Sequence, residues 1–167
     1  MHIRPERPAD LAAVRTVNLA AFETRVEADL VDALRRREET LISLVAEHNG
    51  LVVGHILFSP VTLSGHPALK IMGLAPMAVL PSEQRRGIGS ALVRAGLDRC
   101  KQSGFSAAVV LGHPAYYPRF GFTPASRFAI KSEYDVPDEA FMALEFEPGI
   151  LHDKSGTVCY HPAFADV

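Results

Sequence analysis

The chain has little of what would mark it for a disulfide scaffold, a metal, a nucleic acid or a membrane. Among its 167 residues only two are cysteines, Cys100 and Cys159. Two are too few for a disulfide framework, and their spacing matches no metal site. Both are expected to be reduced thiols, mostly buried. Charge of one sign is also lacking: 17 Lys and Arg stand against 19 Asp and Glu, a formal balance of −2. That balance provides no field to draw nucleic acid or an anionic membrane surface. No apolar run approaches the ~20 residues of a membrane-spanning helix. Met1-His2-Ile3-Arg4 opens the chain without an apolar signal core. A cytoplasmic protein is the expectation. Repeats, linkers and low-complexity tracts are missing too, so residues 1–167 are expected to form a single domain.

What is present is ordinary globular material, 48% hydrophobic and 22% charged, long enough to bury a core. His2 to Arg4 reads as a first strand. Pro8 pre-sets a helical start, and Leu11, Val14, Val17 and Ala21 recur at helical spacing to about Phe22. A second helix spans Val26 to Arg37 with Leu30, Val31 and Leu34 inward. Its last turn, Arg35-Arg36-Arg37, suits the negative end of the helix dipole and reads as a solvated face. Strands Leu41–Ala46 and Leu51–Leu63 are joined by the hairpin turn His48-Asn49-Gly50. Lys70 to Leu80 is a nearly continuous apolar run, the pattern of a central strand buried on both faces. Pro76 inside it cannot donate to a ladder, which predicts a bulge or an interrupted edge.

A third helix is expected from Ile88 to Ser103, with Ile88, Ala91, Leu92 and Ala95 as its buried stripe and Gly104 ending it. Phe105 to Leu111 follows as a buried strand, and Pro114 opens a short helix carrying two tyrosines. Closing strands are expected at Phe128–Ile130, Phe141–Phe146 and Thr157–Tyr160. This order gives an α/β fold, a mixed sheet with helices on both faces.

The most informative stretch is Gln84-Arg85-Arg86-Gly87-Ile88-Gly89, directly after the apolar run. A helix N-terminus presents unpaired N–H groups and roughly half a positive charge. Glycine lets that backbone approach an anion with no Cβ in the way. Arg85 and Arg86 add cations beside it, so the loop suits a pyrophosphate. A plain loop-to-helix turn would explain Gly87-Ile88-Gly89 equally well. A dinucleotide fingerprint fails at Leu92 and at Ala107-Ala108-Val109-Val110, and the Gly-Lys-Ser/Thr of a Walker loop is absent.

Gln84-x-x-Gly87-x-Gly89 after Val79-Leu80-Pro81 resembles the acyl-CoA pyrophosphate loop of the GNAT superfamily of N-acetyltransferases. Tyr117-Pro118-Arg119-Phe120-Gly121-Phe122 resembles the Tyr-x-x-x-Gly-Phe signature of the same superfamily. Gly112-His113-Pro114-Ala115-Tyr116-Tyr117 and the tail to Phe164 resemble a bacterial branch of predicted N-acetyltransferases, so the likeness covers essentially the whole chain. It implies a single-domain, mixed, mostly antiparallel sheet with a splayed, bulged central strand. It implies acetyl-CoA as acyl donor, no metal, and transfer of an acetyl group to a primary amine. Met77, Ala78 and Val79 would run along the pantetheine, and Arg85, Arg86, Gly87, Ile88, Gly89 and Ser90 would surround the pyrophosphate.

Tyr117 stands four positions before Gly121, where the resemblance puts the general acid. A phenol with a pKa near 10 can protonate a leaving thiolate near 8.5. Tyr117 could instead serve as an aromatic wall, and neighbouring Tyr116 is the other candidate acid. Two departures stand out. Val110 occupies a position where the superfamily often has asparagine, and nothing acidic lies between His66 and Glu83. The base that deprotonates the amine is open among Glu23, Glu27, His55 and His113. By analogy Phe22–Val31 and Thr123–Phe141 line the acceptor site, for a small-molecule or peptide amine, and the closing strands could pair in a homodimer. The competing reading is a non-catalytic acyl-CoA-binding sensor or regulatory module of the same fold.

Overall fold

The computed structural model describes residues 1–37 and 40–166. They fall into two compact units. The first comprises Met1–Ser59, Ala75–Asp98 and the C-terminal stretch from Pro162, and the second comprises Pro60–Leu74 and Arg99–His161. Nine strands run in chain order: β1 (His2–Pro5), β2 (Ile42–His48), β3 (Leu51–Leu63), β4 (Ile71–Val79), β5 (Ala107–Leu111), β6 (Thr123–Pro124), β7 (Ile130–Ser132), β8 (Phe141–Glu145) and β9 (Gly156–Cys159). Among the described residues three α-helices accompany them, α1 (Leu11–Ala21), α2 (Val26–Arg37) and α3 (Ile88–Gln102). β3 and β4 each contribute residues to both units.

In the first unit β1, β2 and β3 pair antiparallel, with Ile3 opposite Ala46 and Leu44 opposite Ile56. The β2–β3 hairpin turns on Asn49 at φ 52° and Gly50 at φ 78°, the positive-φ pair that a tight hairpin demands. Leu30, Val31 and Leu34 of α2 pack with Val14, Val45 and Leu57 into one core. Leu11, which recurs at helical spacing with Val14 and Val17, is 43% exposed. It belongs to the first turn of α1, beyond the stripe led by Val14 and Val17. The 3-10 turn Pro8–Asp10 precedes α1 and is held by Arg4, whose guanidinium donates to Asp10 at 2.7 and 3.0 Å and to Glu47 at 2.8 Å.

The cationic end of α2 corrects the sequence reading. Arg36 and Arg37 are exposed, but Arg35 pairs with Glu6 and, at 3.2 Å, with Asp32. Asp32 meets Arg15 at 2.7 Å, Arg15 meets Asp29 at 2.9 Å, and Asp29 meets Arg25 at 3.0 Å. Six side chains of alternating sign thus run from Glu6 to Arg25.

The buried face of α3 is also displaced from expectation. Ile88, Leu92, Val93 and Leu97 are buried, while Ala91 and Ala95 are half-buried. The line of closest approach runs through Leu92 and Gly96. A Cβ on Gly54 of β3 would lie 3.0 Å from Leu92 Cδ1, and one on Gly96 would lie 2.3 Å from Phe58 Cε2. The missing Cβ of Gly96 is what lets the Phe58 ring pack against the helix.

In the second unit β4 runs parallel to β5 with Ile71 opposite Ala107 and Leu74 opposite Val110. That ladder stops short of Pro76, where the missing N–H predicted an interruption. β8 joins the other side of β5 antiparallel, and β6 pairs with β8. β9 pairs antiparallel with the end of β3 and parallel with β7. Val61, Ile71, Val109, Ile130, Phe141 and Val158 form the core. The last turn of α3 closes with Phe105 N–H donating to the Cys100 carbonyl at 3.1 Å and Gly104 N–H to that of Lys101 at 3.1 Å. Gly104 sits at φ 88°, the left-handed residue that this cap requires.

The sheet is therefore mixed and mostly antiparallel. Phe128–Ile130, expected as a strand, is split: Ala125–Phe128 is a 3-10 turn, Ala129 takes φ 56°, and the strand begins at Ile130. β6 is too short to carry a period and escaped the sequence reading. Cys100 is buried, its thiol pushed up to about 12 by desolvation, whereas Cys159 is exposed, against expectation. Among the described residues no helix is long and apolar enough to cross a membrane.

Candidate active site

The strand end and loop expected to hold acyl-CoA lie in the first unit. Ala78 and Val79 end β4 with buried side chains, and Met77 is half-buried before them. Leu80 N–H donates to the Val53 carbonyl at 2.9 Å, tying the strand end to β3. Pro81–Glu83 make a single 3-10 turn. Arg85 then adopts φ 65° and Gly87 φ 81°, so the chain reverses twice into left-handed conformations before α3 starts at Ile88. For Arg85 that conformation is costly; for Gly87 it is not.

A Cβ on Gly87 would meet nothing within 4 Å, so open space borders the loop there. The helical ladder starts with Ala91 N–H donating to the Gly87 carbonyl at 3.0 Å. The amides of Ile88, Gly89 and Ser90 stand ahead of that first rung, at the positive end of the helix dipole. Arg85 and Arg86 are exposed beside them, and Arg86 also meets Glu83 at 3.2 Å. Ile88 turns inward, 5% exposed, and offers the outside only its main chain. The structure thus brings Met77 to Val79 and Arg85 to Ser90 into consecutive segments of one unit.

Tyr117 lies in the second unit. β5 ends at Leu111, and Gly112 N–H donates to the Ala140 carbonyl at 2.9 Å. The chain turns through Pro114, and the 3-10 helix begins at Tyr117 and ends at Phe120, three residues later than Pro114 suggested. Gly121 closes it at φ 103°. Tyr117 is 8% exposed, with its ring edge-on to Phe122 at 5.8 Å and to Tyr116 at 5.1 Å. Burial, and after it the neighbouring Tyr116, pushes the Tyr117 hydroxyl up to about 12. Tyr116 is half-buried with the Arg119 guanidinium 4.5 Å over its ring. Adjacent in sequence, the two phenols therefore sit in different surroundings.

Of the four base candidates the structure removes His55. It is fully buried, its Nδ1 3.2 Å from Asn18 Nδ2 and its Nε2 2.9 Å from Ser43 Oγ. Desolvation, and then the charge of Arg35, pulls its pKa down to about 3. Asn18 Nδ2 is a donor, so Nδ1 accepts and Nε2–H points to Ser43. His55 is a neutral core residue. Glu23 and His113 are exposed, and Glu27 Oε2 is buried without a hydrogen-bond partner among the described residues.

Residues 11–122 match the model of the acetyltransferase (GNAT) family. The chain belongs to the GNAT family. Its relatives include the N-acetyltransferase YhbS of Escherichia coli K12, 35% identical over 165 residues and 98% of each chain. YjhQ of the same strain is 39% identical over 135 residues, 78% of this chain and 75% of that one. The crystal structure of E. coli YhbS in complex with CoA superposes with a TM-score of 0.94 at 34% identity, covering 98% of this chain and 91% of that one. A GNAT acetyltransferase of Brucella melitensis in complex with acetyl-CoA gives 0.81 at 40% identity, covering 98% and 97%. The chain is thus an N-acetyltransferase of the GNAT fold. Two local contacts of residues in these motifs carried no sequence signal: the room that Gly112 makes for the Tyr117 ring, and the hydrogen bond from the Gln84 side chain to the Val79 carbonyl.

Proposed function

We propose that this GNAT protein moves an acetyl group from acetyl-CoA to a primary amine by direct attack, with residues 1–167 acting as one domain in the cytoplasm. The observation that carries the reading is the passage from Arg85 through Gly87, at φ 81°, into the N-terminus of α3 with open space at Gly87. That backbone fits a pyrophosphate: amides at a helix start, glycine in a conformation that L residues avoid, and two exposed guanidinium groups. Solved relatives with CoA and acetyl-CoA support the same choice of donor.

Acetyl-CoA supplies a thioester, whose carbonyl carbon accepts the amine and whose sulfur leaves. Arg85, Arg86, Gly87, Ile88, Gly89 and Ser90 would hold the pyrophosphate. Main-chain groups of Met77, Ala78 and Val79 would pair with the pantetheine, and an N–H of that segment would polarise the carbonyl. The C–N bond forms as the C–S bond breaks; Tyr117 gives its hydroxyl proton to the sulfur, the amine nitrogen loses one to water, and solvent returns one to the Tyr117 phenolate. A phenol at about 12 is fully protonated at neutral pH.

The missing carboxylate between His66 and Glu83 favours the second reading, an acyl-CoA sensor without turnover. Calorimetric titration with acetyl-CoA comes first, beside Gly89→Glu, which adds bulk and negative charge to the loop. The proposal expects binding by the parent and loss in the variant, then turnover with an amine panel. No binding by the parent overturns it, and binding without turnover on any amine leaves the sensor.

A further inference from the structure

The side-chain amide of Gln84 turns back to the strand instead of outward: Nε2 donates to the Val79 carbonyl at 3.0 Å. The Leu80 N–H, which donates to Val53 at 2.9 Å, belongs to the same peptide group as that carbonyl. One peptide plane is therefore gripped on both edges, by a side chain on one and by β3 on the other. It sits where β4 ends and the loop to α3 begins. A plane held by both its polar groups cannot rotate without breaking a hydrogen bond.

We infer that Gln84 is a positioning residue that sets the spacing between the main-chain segment Met77–Val79 and the amides at the start of α3. The inference rests on the acyl-transfer reading above. In that reading one donor molecule must engage the strand and the loop at once, so their relative placement fixes where the thioester carbonyl lies. Misplacement of reacting groups by about 1 Å can cost 10²-fold in rate. The loop does not depend on Gln84 for its own shape. Glu83 N–H donates to the Leu80 carbonyl at 2.8 Å and Gln84 N–H to that of Pro81 at 3.4 Å, both through main chain. Removing the side-chain amide should leave the turn folded and free only its tie to β4.

The test uses the full chain with Gln84→Met, which keeps length and loses the donor, and Gln84→Arg, which keeps N–H groups at the tip. Gln84→Met is expected to lower kcat about tenfold while the dissociation constant for CoA stays within about twofold. Gln84→Arg is expected to recover most of that loss. A CoA affinity that falls with kcat unchanged would mean that Gln84 touches the ligand directly, and the inference fails. Unchanged kcat overturns it as well. Hydrogen exchange at the Leu80 amide reads the same tie without turnover: Gln84→Met should speed it about tenfold and leave Glu83 unaffected. An unaltered Leu80 rate overturns the inference whatever the parent enzyme does. A parent without turnover but with the Leu80 response would instead sink the acyl-transfer reading and leave the tie standing.

Discussion

The Tyr117 ring fills the space that a Cβ on Gly112 would need, its Cε2 only 2.4 Å from that position. Gly112→Ala must therefore push the phenol or the end of β5 aside. The expected result is a fall in kcat of about tenfold, with acetyl-CoA affinity by calorimetry within about twofold of the parent. Equal kcat in the two proteins would show that the ring need not stay where Gly112 admits it.

Tyr117→Phe removes the hydroxyl and keeps the ring, so its edge-on contacts with Tyr116 and Phe122 survive. Acetyl-CoA should bind as before, while turnover should drop on the order of 10²-fold if the phenol is the acid. Steady-state kinetics beside Tyr116→Phe assigns the role: the larger loss marks the acid. Full activity in Tyr117→Phe would leave Tyr117 as a wall.

Gly96→Ala is predicted to be a folding variant. Its Cβ would lie 2.3 Å from Phe58 Cε2 and 2.8 Å from Cζ. Overpacking of this kind costs about 1–3 kcal/mol, several degrees in Tm for a chain of this size. Adding Phe58→Leu should return part of the loss, because the two changes share one contact. A Tm unaffected by Gly96→Ala would contradict the packing described for α3.

His55 predicts acid lability with a definite sign. Its folded pKa, about 3, lies below the ordinary histidine value near 6.5 because desolvation opposes the charged ring. Below pH 6.5 the unfolded chain binds a proton that the folded one refuses. Stability conferred by the neutral ring is complete above pH 6.5 and declines as pH falls toward 3. Denaturant titrations from pH 7 to 4 should show this decline, and His55→Gln should flatten it. An identical pH slope in the two proteins would place the acid response elsewhere, with Asp10 the next group to probe, held at about 2 by its hydrogen bonds to Arg4.

Most strands and all three helices were legible because they are long enough to show a period: α2 was placed to the residue, and β3 ran over its full length. The turn into α3 was legible for a different reason. Its residues, Gln84 through Gly89, are contiguous, so the positive-φ positions and the helix start fall within one short stretch of sequence. What escaped depends on contacts distant in sequence. The stripe of α3 slid toward Gly96 because Phe58 waits there, and no pattern within residues 88–103 records a ring on β3. Arg35 looked solvated until Glu6 was found opposite it. The histidine at 55 stayed open as one of four candidate bases because sequence cannot show Asn18 and Ser43 closing around it.

Helix α3 begins at the amides ahead of Ala91 and is wedged against Phe58 part-way along its length. In the proposed reading an anion seated at its start would grip an element of the hydrophobic core, and occupancy and melting would become two readings of one equilibrium. Each tenfold rise of a free ligand above its dissociation constant adds about 1.4 kcal/mol to the folded state. Fragments of CoA, from pyrophosphate upward, can accordingly be ranked by the heat this protein withstands before any acceptor amine is known.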